Sequence, residues 1–159
     1  MERRELFRVT AGAAVAAKLA GAQAHKFFSD DEFKMTDELT EMIIPADDKS
    51  GGARAAQVAA YLDFRLSEAF EPQVRDQWRE GLKSIDALST ELNGHAFLAA
   101  TPEQRIALMT RLSEKNDEFF RVLKEATIRA YYTSKIGIHD DLDYKGNVYQ
   151  RGDYAGELP

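Results

Sequence analysis

One acidic segment near the end of the chain has a spacing that could bind a metal ion. Asp141-x-Asp143-x-Lys145-Gly146 places polar side chains at every second position, as a calcium-binding loop does. Lys145 stands where an oxygen ligand is required, and Gly152 stands where a bidentate glutamate is required. We therefore interpret the segment as an acidic turn around Gly146 and not as a calcium site.

The remaining candidate residues do not form a catalytic or metal-binding pattern. A di-iron helical bundle uses Glu-x-x-His on two helices, and none of His25, His95 and His139 has a glutamate three positions before it. The chain has no cysteine, which excludes disulfides, thiolate metal sites, iron–sulfur clusters and cysteine-linked haem. There is no glycine-rich phosphate loop and no Gly-x-Ser-x-Gly nucleophile elbow. We predict no catalytic, cofactor-binding or metal-binding residue in this chain.

Composition limits the class of protein and its partners. With 159 residues, of which 44% are hydrophobic, the chain has enough apolar side chains for the core of one domain. Its net charge is −6. Without residues 1–24, which contain four bases and two acids, 17 bases stand against 25 acids. An acidic domain repels phosphate backbones, so nucleic acid is excluded as a partner.

The hydrophobic residues recur at helical spacing along most of the chain. Thr36 is predicted to cap a first helix, which Pro45 stops. A second apolar stripe runs from Ala55 to Phe70, with Asp63 on the surface of that helix.

Three further helices follow. One is predicted between Pro72 and Gly94, because proline favours the first helical position and glycine the end of a helix. Thr101 opens the next helix with a capping box, in which Gln104 is the reciprocal residue. The last long helix spans about 116–134, and no alternating segment predicts a strand. The expected fold is an all-α compact bundle of four or five helices, preceded by a leader helix and followed by an irregular tail.

The predicted domain organisation has four parts. Residues 1–24 form a leader, 25–35 a loose polar linker, 36–138 the helical domain and 139–159 an irregular tail. The tail has no helical period and contains three tyrosines, including Tyr144. Tyrosine combines apolar area with a polar tip, so we expect the tail to pack on the bundle or on a partner.

The leader resembles a twin-arginine (Tat) export signal. Arg3 and Arg4 are followed by the apolar pair Leu6 and Phe7, then by an alanine-rich run that ends in small residues at 22–24. The leader departs from that signal at Glu2, where serine or threonine is usual, and in the order of its apolar pair. The alternative interpretation is an ordinary amphipathic helix with bases at one end.

Three stretches together resemble the gluconate 2-dehydrogenase subunit 3 family. They are TEMIIPADDKSGGARAAQVAAYLD, EFFRVLKEATIRAYYTSKIG and LDYKGN. The resemblance covers about residues 1–150. It implies a non-catalytic small subunit in a heteromer with a large FAD-dependent oxidoreductase of the glucose-methanol-choline type, which oxidises a sugar, a sugar acid or a glycoside. It also implies a chaperone and export role through the Tat translocase to the periplasm, and a possible cytochrome c subunit.

The same resemblance suggests which residues serve each role. Arg3, Arg4, Leu6 and Phe7 would be recognised by the translocase. The expected partner interface comprises Tyr131, Tyr132, Thr133, Ser134, Tyr144, Gly146 and Asn147. For the two tyrosines of the helix, core packing is the alternative, and for residues 44–47 a helix stop packed under a loop is favoured over partner contact.

Two other functions stay open at the level of the sequence. The chain could be a free-standing periplasmic ligand-binding bundle or an enzyme without a recognisable motif. It could also be an escort that keeps its leader as a membrane tether. The sequence does not determine the substrate of the partner, because that specificity would lie in the large subunit.

Overall fold

The computed structural model describes residues 25–144, and this part of the chain is helical without a strand. Its α-helices are, in chain order, α1 (Asp30–Ile43), α2 (Gly52–Ala55), α3 (Val58–Ser67), α4 (Pro72–Asn93), α5 (Pro102–Glu114) and α6 (Glu118–Tyr132). A 3-10 turn (Phe97–Ala99) precedes α5, and a π-helical turn (Gly137–Asp141) follows α6. Five helices have ten or more residues, so the predicted all-α bundle is confirmed.

Helix α1 begins earlier than the sequence pattern predicts. Ser29 is its N-cap: the hydroxyl accepts from the Glu32 N–H at 3.3 Å, and the Glu32 carboxylate accepts from the Ser29 N–H at 2.8 Å. The prediction that Thr36 caps this helix was wrong. Thr36 is a fully buried residue within the helix, where its hydroxyl donates to the Glu32 carbonyl. The capping box lies inside the polar stretch that was interpreted as a linker, so the first turn of α1 falls within 25–35.

The apolar stripe that begins at Ala55 is divided between two helices. Helix α2 ends there, and Gln57 has a left-handed backbone (φ 55°) that redirects the chain into α3. The stripe also ends sooner than predicted, because Phe70 lies beyond α3 and is 100% exposed. Asp63, predicted on the surface, is buried at 6% exposure.

The local start and stop signals of the next helices are confirmed. Pro72 and Pro102 are the first residues of α4 and α5. Thr101 and Gln104 form the predicted capping box. Gly94 ends α4 in a left-handed conformation (φ 78°), which glycine adopts without steric cost.

The core lies where α1, α3, α4 and α6 contact one another, and α5 packs against α4 and α6. Its most deeply buried apolar side chains are Leu39, Val58, Leu82, Ile85, Phe97, Leu108, Leu123 and Tyr131. Helices α4 and α6 approach closely at Gly81, where an added Cβ would lie 2.1 Å from the Phe119 ring. Among residues 25–144, no helix has both the length and the apolar composition to cross a membrane.

Candidate functional site

The first two stretches behind the family resemblance meet at one corner of the bundle. Residues 44–54, which are a loop and the start of α2, follow α1, and the end of α6 packs against them. The hydroxyl groups of Ser50 and Tyr131, 81 residues apart in the sequence, form a buried hydrogen bond between them. We call residues 44–54 together with 130–144 the motif corner.

The turn at Asp47 orders the loop from within. The Asp47 carboxylate accepts from the N–H groups of Ser50 and Lys49, both at 2.8 Å, and its own N–H donates to the Ser50 carbonyl at 2.9 Å. The hydrogen bonds from Ser50 and then Lys49 hold the pKa of Asp47 below its usual value. The Asp47 carboxylate therefore has a structural role: it holds Ser50 in position to contact Tyr131.

Gly52 closes the loop because no other residue fits there. Its φ is +71°, and an added Cβ would lie 2.5 Å from the Ala46 nitrogen. Next to it, the Ala53 N–H donates to the Ile44 carbonyl at 2.9 Å. The sequence Ile-Ile-Pro-Ala-Asp-Asp, with Gly-Gly after it, therefore forms one tight loop.

A network of charged side chains joins this loop to α1 and α5. The Arg54 guanidinium donates to Asp37 at 2.6 Å and to Glu38 at 2.9 Å. The hydrogen bond to Asp37 is the main reason that the pKa of Arg54 is raised above its usual value. Arg105 donates to the other Glu38 oxygen at 2.9 Å, and it also binds two carbonyl groups of the 3-10 turn. Because each acid has a bound guanidinium, the network supports structure and does not provide a free general base.

The predicted interface residues of α6 divide between core and surface. Tyr131 is fully buried, which is the core-packing alternative, whereas Tyr132 is 39% exposed. The two rings make an edge-to-face contact at 5.1 Å between centroids. A hydrogen bond to the Asp141 carboxylate raises the pKa of Tyr132. Tyr132 therefore offers one ring face at the surface while its hydroxyl holds the π-helical turn.

The residues that follow complete this surface. Thr133 is exposed, and the half-buried Ser134 accepts the Gly137 N–H at 3.0 Å. Gly137 allows a close approach, since an added Cβ would lie 2.2 Å from the Tyr131 carbonyl oxygen. Tyr144 is 48% exposed. Gly146 and Asn147, like Arg3, Arg4, Leu6 and Phe7, lie outside the described residues.

A second structured feature lies where the sequence predicted a loose junction. The buried Asp63 carboxylate accepts from the backbone N–H groups of Phe28 at 2.8 Å, Lys26 at 2.7 Å and Phe27 at 2.9 Å. Burial raises the pKa of Asp63, but these three hydrogen bonds outweigh burial and leave its pKa below the usual value. Both phenylalanine side chains are buried. We call Asp63 with residues 26–28 the N-terminal anchor, and the prediction of a loose polar linker at 25–35 was wrong there.

The histidines of the described region serve local contacts. His25 stacks on Phe33 at 3.9 Å between centroids, and His95 lies 3.1 Å from the Gln104 side-chain oxygen. The Nδ1 of His139 lies 2.9 Å from the Tyr144 carbonyl oxygen. Within residues 25–144, no group of three His, Asp or Glu side chains is arranged to hold a metal ion.

Two residues with unusual environments were missed in the sequence, although a signal for each exists. Asp63 occupies the apolar stripe of α3, one position after Leu62 and three before Leu66, so its spacing alone indicates burial. Phe70 directly precedes the cap of a helix that begins with proline, so it lies outside both helices. A helical stripe cannot extend through such a boundary.

The chain matches one known protein family over most of its length. The sequence model described as gluconate 2-dehydrogenase subunit 3 matches residues 30–148. The match starts at the first residue of α1 and covers every described helix. This chain belongs to the gluconate 2-dehydrogenase subunit 3 family. Subunit 3 is the small subunit of a dehydrogenase complex, so the resemblance found in the sequence is confirmed. No curated protein and no solved structure matches the chain.

Proposed function

We propose that this subunit 3 chain is a non-catalytic escort. It binds a large FAD-dependent oxidoreductase of the glucose-methanol-choline type, helps it to mature, and takes it through the Tat pathway to the periplasm. The family match over residues 30–148 carries the proposal, together with the twin-arginine leader that precedes the matched region. The flavin belongs to the partner, whose substrate is a sugar, a sugar acid or a glycoside, and a cytochrome c subunit can accept the electrons.

The N-terminal anchor supports the export part of this proposal. A Tat signal pulls a folded protein, so the leader must be attached firmly to the folded domain. Lys26, Phe27 and Phe28 are fixed by Asp63 immediately after the predicted end of the leader at residue 24. A force applied to the leader would therefore be transmitted to α3 through the hydrogen bonds of Asp63.

The partner contact in this proposal uses the exposed side of the motif corner. Tyr132, Thr133 and Tyr144 offer accessible surface there, with Gly146 and Asn147 following in the chain. The buried Tyr131 and the half-buried Ser134 act as positioning residues, since they hold the loop and the π-helical turn in place. Aromatic residues of this kind are enriched in protein interfaces.

The test replaces both arginines of the adjacent pair by lysine in cells that express the flavoprotein with this chain. We expect Arg3→Lys with Arg4→Lys to leave both subunits in the cytoplasm, measured by fractionation and by flavoprotein activity in the periplasm. The matched control is Arg8→Lys, which changes a leader arginine outside the pair. If the flavoprotein reaches the periplasm with the double variant, the escort proposal is wrong.

A second measurement determines what becomes of the leader. Sequencing the N-terminus of the exported protein should give His25 if the leader is removed after the small residues at 22–24. A sequence starting at Met1 would instead support the tethered form.

A further inference from the structure

A continuous groove runs between α3 and α6 and continues to the turn before α4. Its larger part, of about 940 Å³, is bounded by the end of α3, residues 68–71, α4 and α6. A smaller part of about 270 Å³ lies between α3 and α6. Both parts are lined by Leu62, Arg65, Ala126 and Arg129, so they adjoin. We call the whole the α3–α6 groove.

Aromatic side chains stand exposed at both ends of the α3–α6 groove. Phe70 lines the larger part and is 100% exposed, and Tyr61 lines the smaller part at 44% exposure. A phenylalanine ring left entirely in water lacks the favourable free energy of burial, which a bound partner would supply. The apolar side chains that line the groove between them connect the two rings into one apolar surface, which on a folded protein indicates an interaction site.

Two arginines lie where the two parts of the groove adjoin. Arg65 and Arg129 are both exposed and line both parts, whereas the groove's acids, Glu68, Glu71 and Glu125, each line only one part. Within residues 25–144, neither arginine forms an ion pair. Two guanidinium groups beside an apolar floor form a site for a carboxylate carried on an apolar segment.

We propose that the α3–α6 groove is the docking site for an apolar, carboxylate-bearing segment of the large dehydrogenase subunit. This rests on the proposed function and locates a second contact region beside the motif corner, since Arg129 and Ala130 directly precede Tyr131 on α6. A second copy of this chain is a poorer occupant, because a two-fold interface would place the arginines of one groove against those of the other.

The occupant can be identified by site-specific photo-cross-linking in the full complex. The cross-linker p-benzoylphenylalanine replaces Phe70, and a matched position, Ile106 on α5, serves as control because its side chain is also exposed at 59% but lies outside the groove. We expect irradiation to join position 70, and not position 106, to the co-expressed flavoprotein. A cross-link from position 70 to a second copy, or to residues 145–159 of the same chain, overturns the proposal.

Charge reversal tests the role of the arginines. Arg129→Glu should weaken binding of the flavoprotein about ten-fold or more, as expected for a central interface arginine. Arg121→Glu is the matched control, since it makes the same change at an exposed position of α6 outside the groove. Equal binding by both variants overturns the docking site but leaves the proposed function intact. If the wild-type chain does not bind the flavoprotein at all, the proposed function itself fails.

Discussion

Replacing Asp63 by asparagine should destabilise the domain by removing the charge from the N-terminal anchor. One carboxylate oxygen accepts from Phe27 and Phe28, and the other accepts from Lys26. Asparagine can retain the first oxygen, but its NH₂ group then faces the Lys26 N–H, where two donors oppose each other. The sequence around Asp63 needs no other change for this test.

The magnitude follows from the hydrogen bonds that change. A bond to a charged acceptor contributes about 1.5–3 kcal/mol, and a bond between neutral groups contributes about 1 kcal/mol. Losing one bond to a charged acceptor and weakening two should lower the free energy of unfolding by at least about 2.5 kcal/mol at neutral pH, or by roughly 5–10 °C or more in Tm. Asp63→Ala should cost more, because detaching residues 26–28 would also expose Phe27 and Phe28 at about 1.5–3 kcal/mol each.

The pH dependence gives a second signature of the same carboxylate. The pKa of Asp63 is lower in the folded state than its usual value. The stabilisation is therefore complete above the unfolded pKa of about 3.9, and it is lost as the pH falls from there through the lower folded pKa. The difference between wild type and Asp63→Asn should be constant near neutral pH and should shrink below about pH 4.

Urea unfolding followed by tryptophan fluorescence is a suitable assay. The single tryptophan, Trp78, is buried, and its ring lies 6.1 Å from that of Phe28, so its emission reports on the anchored segment. Asp48→Asn, which changes an exposed loop carboxylate, is the matched control. An Asp63→Asn protein that unfolds at the same urea concentration as wild type, or a difference that does not vary with pH, would refute this account.

Two further variants test the motif corner by thermal or urea unfolding. Gly52→Ala should lower the free energy of unfolding by at least about 2 kcal/mol, because it combines a positive φ with a steric overlap. Gly94→Ala has a similar φ but open space around it, so it should cost about 1 kcal/mol. Equal losses would show that the tight loop at Gly52 is unimportant for stability. Tyr131→Phe should cost about 1–3 kcal/mol by leaving the buried Ser50 hydroxyl unpaired, and the exposed Tyr132→Phe less; the reverse order would contradict a core role for Tyr131.

Local sequence signals predicted those helix boundaries that depend on residues within one turn of the helix. Pro72, Gly94 and the Thr101 capping box depend on backbone hydrogen bonds and φ preferences of a few neighbouring residues, so they can be read directly. The predicted start of α1 was wrong because two residues in that stretch, Ser29 and Thr36, can each cap a helix. Ser29 succeeds over Thr36 since its helix buries a longer apolar face.

Features that depend on distant parts of the chain could not be predicted in the same way. The spacing of Asp63 places it on the buried face of α3, but no local pattern encodes its hydrogen-bond partners, the backbone N–H groups of residues 26–28. Likewise, helical spacing after Leu123 and Thr127 places Tyr131 on the buried stripe of α6, but its hydrogen-bond partner Ser50, 81 residues away, could not be predicted from the sequence. The family resemblance was confirmed over residues 30–148, but it did not predict that its first two stretches meet in the fold.

The hydrogen bond between Ser50 and Tyr131 has a consequence for the timing of folding during synthesis. A ribosome that adds about 5–20 residues per second needs about 4–16 s to make the 81 residues that separate the two partners. Until α6 emerges, α1 and α3 lack the helix that covers their apolar faces. The bundle can therefore close only after most of its chain has been translated.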